Sequence, residues 1–263
     1  MTVNEELSGR VAVVTGGGRG IGAGIAHRLA AEGVTVTVAD VDLDVAIAVA
    51  AAIKSDGGQA NAAQVDVTSE QSVIALIESV IATSGRLDIA VNSAGVFGVA
   101  PIEDVTVAEW DRVFDVNARG VFLSCKHEVA AIRRSSGRGS IINIASLAGK
   151  VGIVLQSHYS ASKFAVVGFT NALAKEIARE GITVNSICPG IVGTRMWRGE
   201  GGTAQAKQLP GETEEESWVR NQREELPQGV AQTVDDIAET VVFLARSPHI
   251  TAQAISVDGG AGQ

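Results

Sequence analysis

Short β-branched runs alternate along this chain with longer alanine-rich segments, and that alternation admits few architectures. Strand-like runs stand at 10–15, 34–39, 59–65, 87–91, 140–144, 182–187 and 252–257, and most are apolar on both faces. A strand apolar on both faces is buried on both faces, which is the pattern of a parallel sheet. Helical spacing of Ala, Val, Ile and Leu fills the intervals: 20–33, Leu43–Ser55, 69–84 with Ser69 as its cap, 106–115, 118–134, 157–180 and 233–245. Parallel strands need crossovers, and helical crossovers are right-handed, so the layout is α/β and doubly wound. Seven strands without an intervening linker make one domain over 1–263. The one long irregular connection is 194–232. It carries Gly199, Gly201, Gly202, Pro210 and Gly211, then a charged helical stretch at Glu214–Glu225. A connection of that length reads as a lid.

Composition removes several classes. Of 263 residues, 46% are hydrophobic and 19% charged, which excludes a disordered chain. Two cysteines, Cys125 and Cys188, make no disulfide framework and suit a reducing cytoplasm. No uncharged run exceeds 14 residues, that at 89–102 included, against about 18 for a membrane span. Glu5 and Glu6, with no basic region beside them, are not a signal-peptide pattern. A net charge of −9 repels phosphate backbones, so no nucleic-acid partner is expected. No His, Cys, Asp and Glu residues stand at metal-ligand spacing, and no catalytic metal is expected.

The 30 glycines, about 11% of the chain against an average near 7%, cluster tellingly. TGGGRGIG, at 15–22, joins the first strand to the first helix, with Gly16, Gly20 and Gly22 in Gly-x-x-x-Gly-x-Gly spacing. Glycine permits the tight turn and the close approach of a phosphate, at which the helix N-terminus points its free N–H groups. Asp40 ends the second strand 18 residues after Gly22. A carboxylate there accepts from both ribose hydroxyls of an adenosine and repels a 2′-phosphate. Asp40 could instead open the solvated run Asp40, Asp42, Asp44, but the strand end favours the ribose role. Val41 follows it, not an arginine. NAD is therefore expected over NADP, with Arg19 in the loop the one residue that could argue otherwise.

The chain has a single tyrosine, Tyr159, with Lys163 four residues on, in HYSASKFAVVGFT. Four residues turn a helix by roughly 400°, so both share a face. An ammonium beside a phenol favours the phenolate, and such a tyrosine can exchange a proton with a substrate hydroxyl. His158 is adjacent but points about 100° away, as a wall residue rather than a base.

Together these motifs resemble the short-chain dehydrogenase/reductase family over residues 8–260. TGGGRGIG is similar to its cofactor turn and Asn92-Ser93-Ala94-Gly95 to its fourth-strand motif, with Ser93 where Asn is usual. Asn117, Ser146, Tyr159 and Lys163 stand where its catalytic residues do. Pro189-Gly190 followed by Thr194 is similar to the loop that holds the nicotinamide carboxamide. The resemblance implies a Rossmann fold with Tyr159 as acid/base and Ser146 orienting the substrate oxygen. Lys163 would lower the Tyr159 pKa and hold the nicotinamide ribose, and Asn117 would hold a water linking Lys163 to solvent. It further implies cofactor contacts from Gly16, Arg19, Gly20, Ile21 and Gly22 in the turn. Asp40 would bind one ribose, Asp66 the adenine with Val67 beside it, and Asn92 and Ala94 the ribose near the fourth strand. Pro189, Val192 and Thr194 would hold the carboxamide.

The stretch CPGIVGTRMW and the SASKFAV helix resemble the branch of acetoin/butanediol and sugar-alcohol dehydrogenases. Leu147, Ile153 and Gly190 would line the substrate with Ser146 and Tyr159, under a roof of Met196 and Trp197. Leu147 and Ile153 are apolar where that branch often has polar groups, which points to a secondary alcohol or ketone with an apolar arm. Two alternatives are an NADP-dependent 3-oxoacyl carrier-protein reductase and a nucleotide-sensing module without chemistry. Asp40 and the acidic lid (Glu212, Glu214, Glu215, Glu216) argue against the first, and the intact catalytic set against the second. The lid, with few apolar anchors beyond Met196, Trp197 and Trp218, is expected to be mobile. The helices at 118–134 and 157–180 carry apolar residues beyond one face, which predicts a homotetramer.

Overall fold

A computed structural model describes residues 6–198 and 202–262. Gly199 and Gly201 of the expected lid lie outside them. Seven parallel strands form one sheet in the order β3-β2-β1-β4-β5-β6-β7. They are β1 (Val11–Thr15), β2 (Thr35–Asp40), β3 (Gln59–Gln64), β4 (Ile89–Asn92), β5 (Gly139–Ile144), β6 (Ile182–Pro189) and β7 (Ala254–Val257). Alternate side chains of β1 serve the two faces. Ala12 and Val14 pack with α1 (Gly20–Ala31), α2 (Leu43–Ser55) and α9 (Val234–Ala245). Val11 and Val13 pack with α3 (Glu70–Ser84), α5 (Gly120–Ser135) and α6 (Ser157–Ile177). The doubly wound single domain expected from the alternation is therefore the fold found. No helix among the described residues is long and apolar enough to cross a membrane.

Several boundaries differ from the expectation for identifiable reasons. The last strand starts at Ala254, not 252, because Ala252 adopts φ +62° and turns the chain into register. The break expected near 115–118 is absent. A π turn, Asp115–Arg119, carries the helix of α4 (Val107–Phe114) directly into α5. The 194–232 segment is better anchored than its composition suggests. Its α7 (Thr203–Ala206) and α8 (Glu214–Glu225) close over a satellite core of Ile191, Ala204, Trp218 and Leu226. The Met196 side chain is 38% exposed and stands outside that core, although its carbonyl accepts from the Thr203 N–H and hydroxyl. The acidic residues are largely paired: Arg198 bridges Glu214 and Glu215, and Arg220 bridges Glu212 and Glu224.

Because all strands run the same way, their C-terminal ends share one edge. The glycine turn, Asp40, Ala94, Ser146 and Pro189 each follow or end a strand there. A parallel sheet binds its ligands outside that edge, where the strand order reverses between β1 and β4.

Candidate active site

The glycine turn is built for close approach. Gly16 sits at φ +62°, and a Cβ on it would lie 2.7 Å from the Ala94 backbone. A Cβ on Gly22 would lie 2.1 Å from the Gly16 carbonyl oxygen. These contacts lock the β1 turn against the β4 loop and leave the N-terminus of α1 with no side-chain cap and no acidic residue in its first turn. That open, positive helix end fits a dinucleotide diphosphate. Gly20 faces the Thr194 side chain across ordinary contact distance, so the turn and the expected carboxamide loop meet. Ile21 packs on the core beneath.

Asp40 stands at the end of β2 with its carboxylate fixed at both oxygens. Oδ2 accepts the Gly18 N–H at 3.0 Å and Oδ1 the Asp42 N–H at 3.2 Å. Arg19 is turned away and pairs with Asp42 at 2.7 Å. Asp66 accepts from the N–H and hydroxyl of Thr68, and Val67 is buried against Gly120.

Ser146, Tyr159 and Lys163 converge above β5. Tyr159 is 6% exposed, and burial pushes its phenol up to about 12, partly offset by a hydrogen bond with Ser146. Ser146 also caps the short turn Leu147–Gly149, accepting the Ala148 N–H. Lys163 Nζ donates to the Ile144 carbonyl at 3.0 Å and lies 5.8 Å from the Tyr159 ring centre. Burial pulls its ammonium down to about 8. The ammonium is engaged by the Ile144 carbonyl, and the Ser146 hydrogen bond offsets part of the effect of burial on Tyr159.

Asn117 sits fully buried in the π turn and grips the backbone after β4. Its Oδ1 accepts the Val96 N–H at 2.9 Å, and its Nδ2 donates to the Val96 carbonyl and the Ser162 hydroxyl, both at 3.0 Å. Gly95 leaves room beside both Asn117 Oδ1 and Lys163 Nζ. A π turn re-aims one residue of a helix, and such turns are frequent at functional sites.

The pocket wall holds residues that sequence reasoning missed. Phe97 packs edge-on against Tyr159 with ring centres 5.0 Å apart, and Val96 and Ile153 join Val113, Ala148 and Tyr159 in one apolar cluster. Leu147 meets Gly262. His158 is a fully buried wall residue as expected, with Nε2 3.9 Å from Glu109. Gly190 is pressed against Asp258 and Gln232, where a Cβ would fall 2.8 Å from the Asp258 Cα. Val192 is buried and bridges to Gln232, and the Thr194 N–H donates to the Val192 carbonyl. Trp197 packs edge-on against Trp218 at 6.1 Å, in the lid core rather than in the Tyr159 cluster. The Asn92 side chain points toward Asn143 and Glu128, and its Oδ1 accepts the Thr15 hydroxyl at 3.5 Å where the glycine turn begins. Glu128 did carry a signal. It lies at helical spacing on the apolar stripe of Val121, Cys125 and Ile132. Among the described residues no group of His, Cys, Asp and Glu could hold a metal ion.

An open helix end at the glycine turn, the fixed Asp40 carboxylate and the buried Ser146, Tyr159 and Lys163 gather at the C-terminal edge of the sheet. The chain matches the short chain dehydrogenase family over residues 10–204 and belongs to it. It is accordingly an NAD(P)-dependent oxidoreductase. It is 41% identical to a protein assigned as a monensin polyketide synthase ketoacyl reductase of Streptomyces virginiae, over 98% of each chain. It is 39% identical to galactitol 2-dehydrogenase of Agrobacterium fabrum, over 97% of this chain and 98% of that one. The fold superposes on a dehydrogenase/reductase of Sinorhizobium meliloti with a TM-score of 0.86 at 37% identity, covering 100% of this chain and 98% of the other.

Proposed function

We propose that this protein uses NAD to interconvert a secondary alcohol and its ketone, with Tyr159 as acid/base. The observation that carries the cofactor reading is the Asp40 carboxylate, fixed by two backbone N–H groups while Arg19 is drawn off to Asp42. A fixed anion at that place accepts ribose hydroxyls and repels a further phosphate. When bound, the nicotinamide supplies the hydride or accepts it. The chain's own residues do the rest. Ser146 holds the substrate oxygen, and the Tyr159 hydroxyl gives its proton to that oxygen in reduction or takes it back in oxidation. Burial keeps Tyr159 protonated at neutral pH, which suits proton donation. Lys163, Asn117 and Thr194 orient the cofactor end of the site.

Leu147, Ile153, Val96 and Phe97 make the wall near Tyr159 apolar, so the preferred substrate carries an apolar arm beside its hydroxyl, within the diol, polyol and hydroxyketone class. Met196 and Trp197, on the 194–232 lid, would swing toward that arm on closure. The 41% identity to an assigned ketoacyl reductase favours one second reading, reduction of a 3-oxoacyl group on a carrier protein. The exposed side chains Phe122 and Phe164 on α5 and α6 suit burial in a homotetramer, and the two buried free cysteines suit the cytoplasm. The deciding experiment follows nicotinamide absorbance with NAD and NADP against secondary alcohols, diols, polyols and 3-oxoacyl thioesters. Turnover with NAD and an alcohol of the first three classes supports the reading. Turnover confined to NADP and 3-oxoacyl thioesters overturns it.

A further inference from the structure

Glu128 is the most anomalous side chain outside the reacting groups. It is fully buried in α5, its Oε1 has no hydrogen-bond partner, and its Oε2 accepts from Asn92 Nδ2 at 3.0 Å. The same Asn92 Nδ2 donates to Asn143 Oδ1 at 3.0 Å, and Asn143 Nδ2 donates to the Thr170 hydroxyl at 2.9 Å. Asn92 and Asn143 are register partners at the C-terminal ends of β4 and β5. The loop after Asn92 carries Ser93 and Ala94 against the glycine turn and Gly95 beside Asn117 and Lys163. The residue after Asn143 is Ile144, whose carbonyl holds Lys163, and Ser146 comes two positions later. Glu128 thus braces, from behind, the joint between the cofactor side of the site and its catalytic side.

We propose that Glu128 is a positioning residue whose neutral carboxyl aligns the ends of β4 and β5, so that its ionisation loosens cofactor binding. The physical reason is the orphaned oxygen. A neutral carboxyl tolerates a dry pocket, whereas a carboxylate with one unpartnered oxygen drives the pocket toward water. Burial pushes Glu128 up to about 7, within reach of ordinary pH. Among the described residues, the only titratable group that shares the pocket is Cys125. Burial and the nearby Glu128 raise its thiol well above its usual range, so it stays neutral. Strands β4 and β5 present Asn92 and Asn143 to it, α6 presents Thr170, and α3 contributes apolar side chains to the same core.

The inference rests on the cofactor reading above, and its test separates the two. The dissociation constant of the reduced dinucleotide is measured by fluorescence over about pH 6 to 8, spanning the carboxyl titration, for wild type, Glu128→Gln and Glu128→Leu. Thermal midpoints are recorded beside it. The readout is the difference between wild type and Glu128→Gln, because both keep Lys163, whose ammonium burial pulls down to about 8 in this chain. The wild-type constant should rise severalfold more than that of Glu128→Gln across this range. Glu128→Leu, which cannot accept from Asn92, should lose roughly tenfold in turnover through misalignment even where it stays folded. Identical pH profiles for wild type and Glu128→Gln, with only the melting temperature changed, would overturn the proposal and leave the cofactor reading intact. A wild type that binds neither dinucleotide would overturn both.

Discussion

The Asp40 carboxylate accepts the Gly18 backbone N–H at 3.0 Å, so the end of β2 and the glycine turn are one hydrogen-bonded unit. Choice of cofactor should therefore follow Asp40. Wild type should turn over NAD well ahead of NADP. Asp40→Ala combined with Val41→Arg should narrow or reverse that gap, since it removes the repulsion and adds a phosphate partner at a 65% exposed position. Steady-state kcat/KM with each dinucleotide is the check. A wild type that prefers NADP tenfold or more would place control elsewhere, with Arg19 the first residue to test.

The contact of Gly22 with Gly16 leaves no room for a side chain. Gly22→Ala would place its methyl 2.1 Å from a backbone oxygen. The turn must then shift, and we expect at least a tenfold weaker dinucleotide dissociation constant and a loss of about 1–3 kcal/mol in stability. Titration calorimetry and chemical denaturation report the two effects separately. Wild-type values for both would mean that the turn is looser than its geometry implies.

Buried Glu128 also shapes stability against pH. Its folded pKa of about 7 lies above the unfolded value of 4.5. Between those values the folded state binds more protons, so stability falls as pH rises from 4.5 and the loss is complete above 7. The contribution is roughly 3 kcal/mol. Glu128→Gln should flatten this dependence and be the more stable protein at pH 8. Urea denaturation of both proteins at pH 5 and pH 8 measures it, and parallel losses in the two would contradict the assignment.

Much of this was legible in residue order. Apolar runs in most of the strands pointed to a parallel sheet, TGGGRGIG, Asp40 and the Tyr159–Lys163 pair stood out by type and spacing, and Ser146 was reached only through the family resemblance. What stayed hidden depends on how chains meet. The π turn at Asn117 inserts one residue and shifts the helical phase, so in sequence it reads as a break between 106–115 and 118–134 rather than as a continuous helix. Phe97 reaches Tyr159 across 62 positions of sequence from a loop without periodic signal. The Lys163 ammonium shares a helix face with Tyr159, as the spacing requires. Which oxygen it reaches is set by Ile144 on β5, and spacing within one helix cannot report that. The anchoring of the lid by Trp218 arises from its meeting Ile191, 27 positions before it on the far side of the segment, together with Leu226.

The central claim is that Tyr159 exchanges the proton with substrate, and Tyr159→Phe tests it most directly. The substitution keeps the ring against Phe97 and removes only the hydroxyl. Folding and dinucleotide binding should survive, and turnover with the best alcohol or ketone should fall by at least about 10²-fold, as expected for a lost general acid/base. In wild type, alcohol oxidation should also rise with pH through the neutral range, because burial holds the phenol up near 12 and the base form is scarce. A Tyr159→Phe protein that binds the dinucleotide and turns over at close to the wild-type rate would contradict the account.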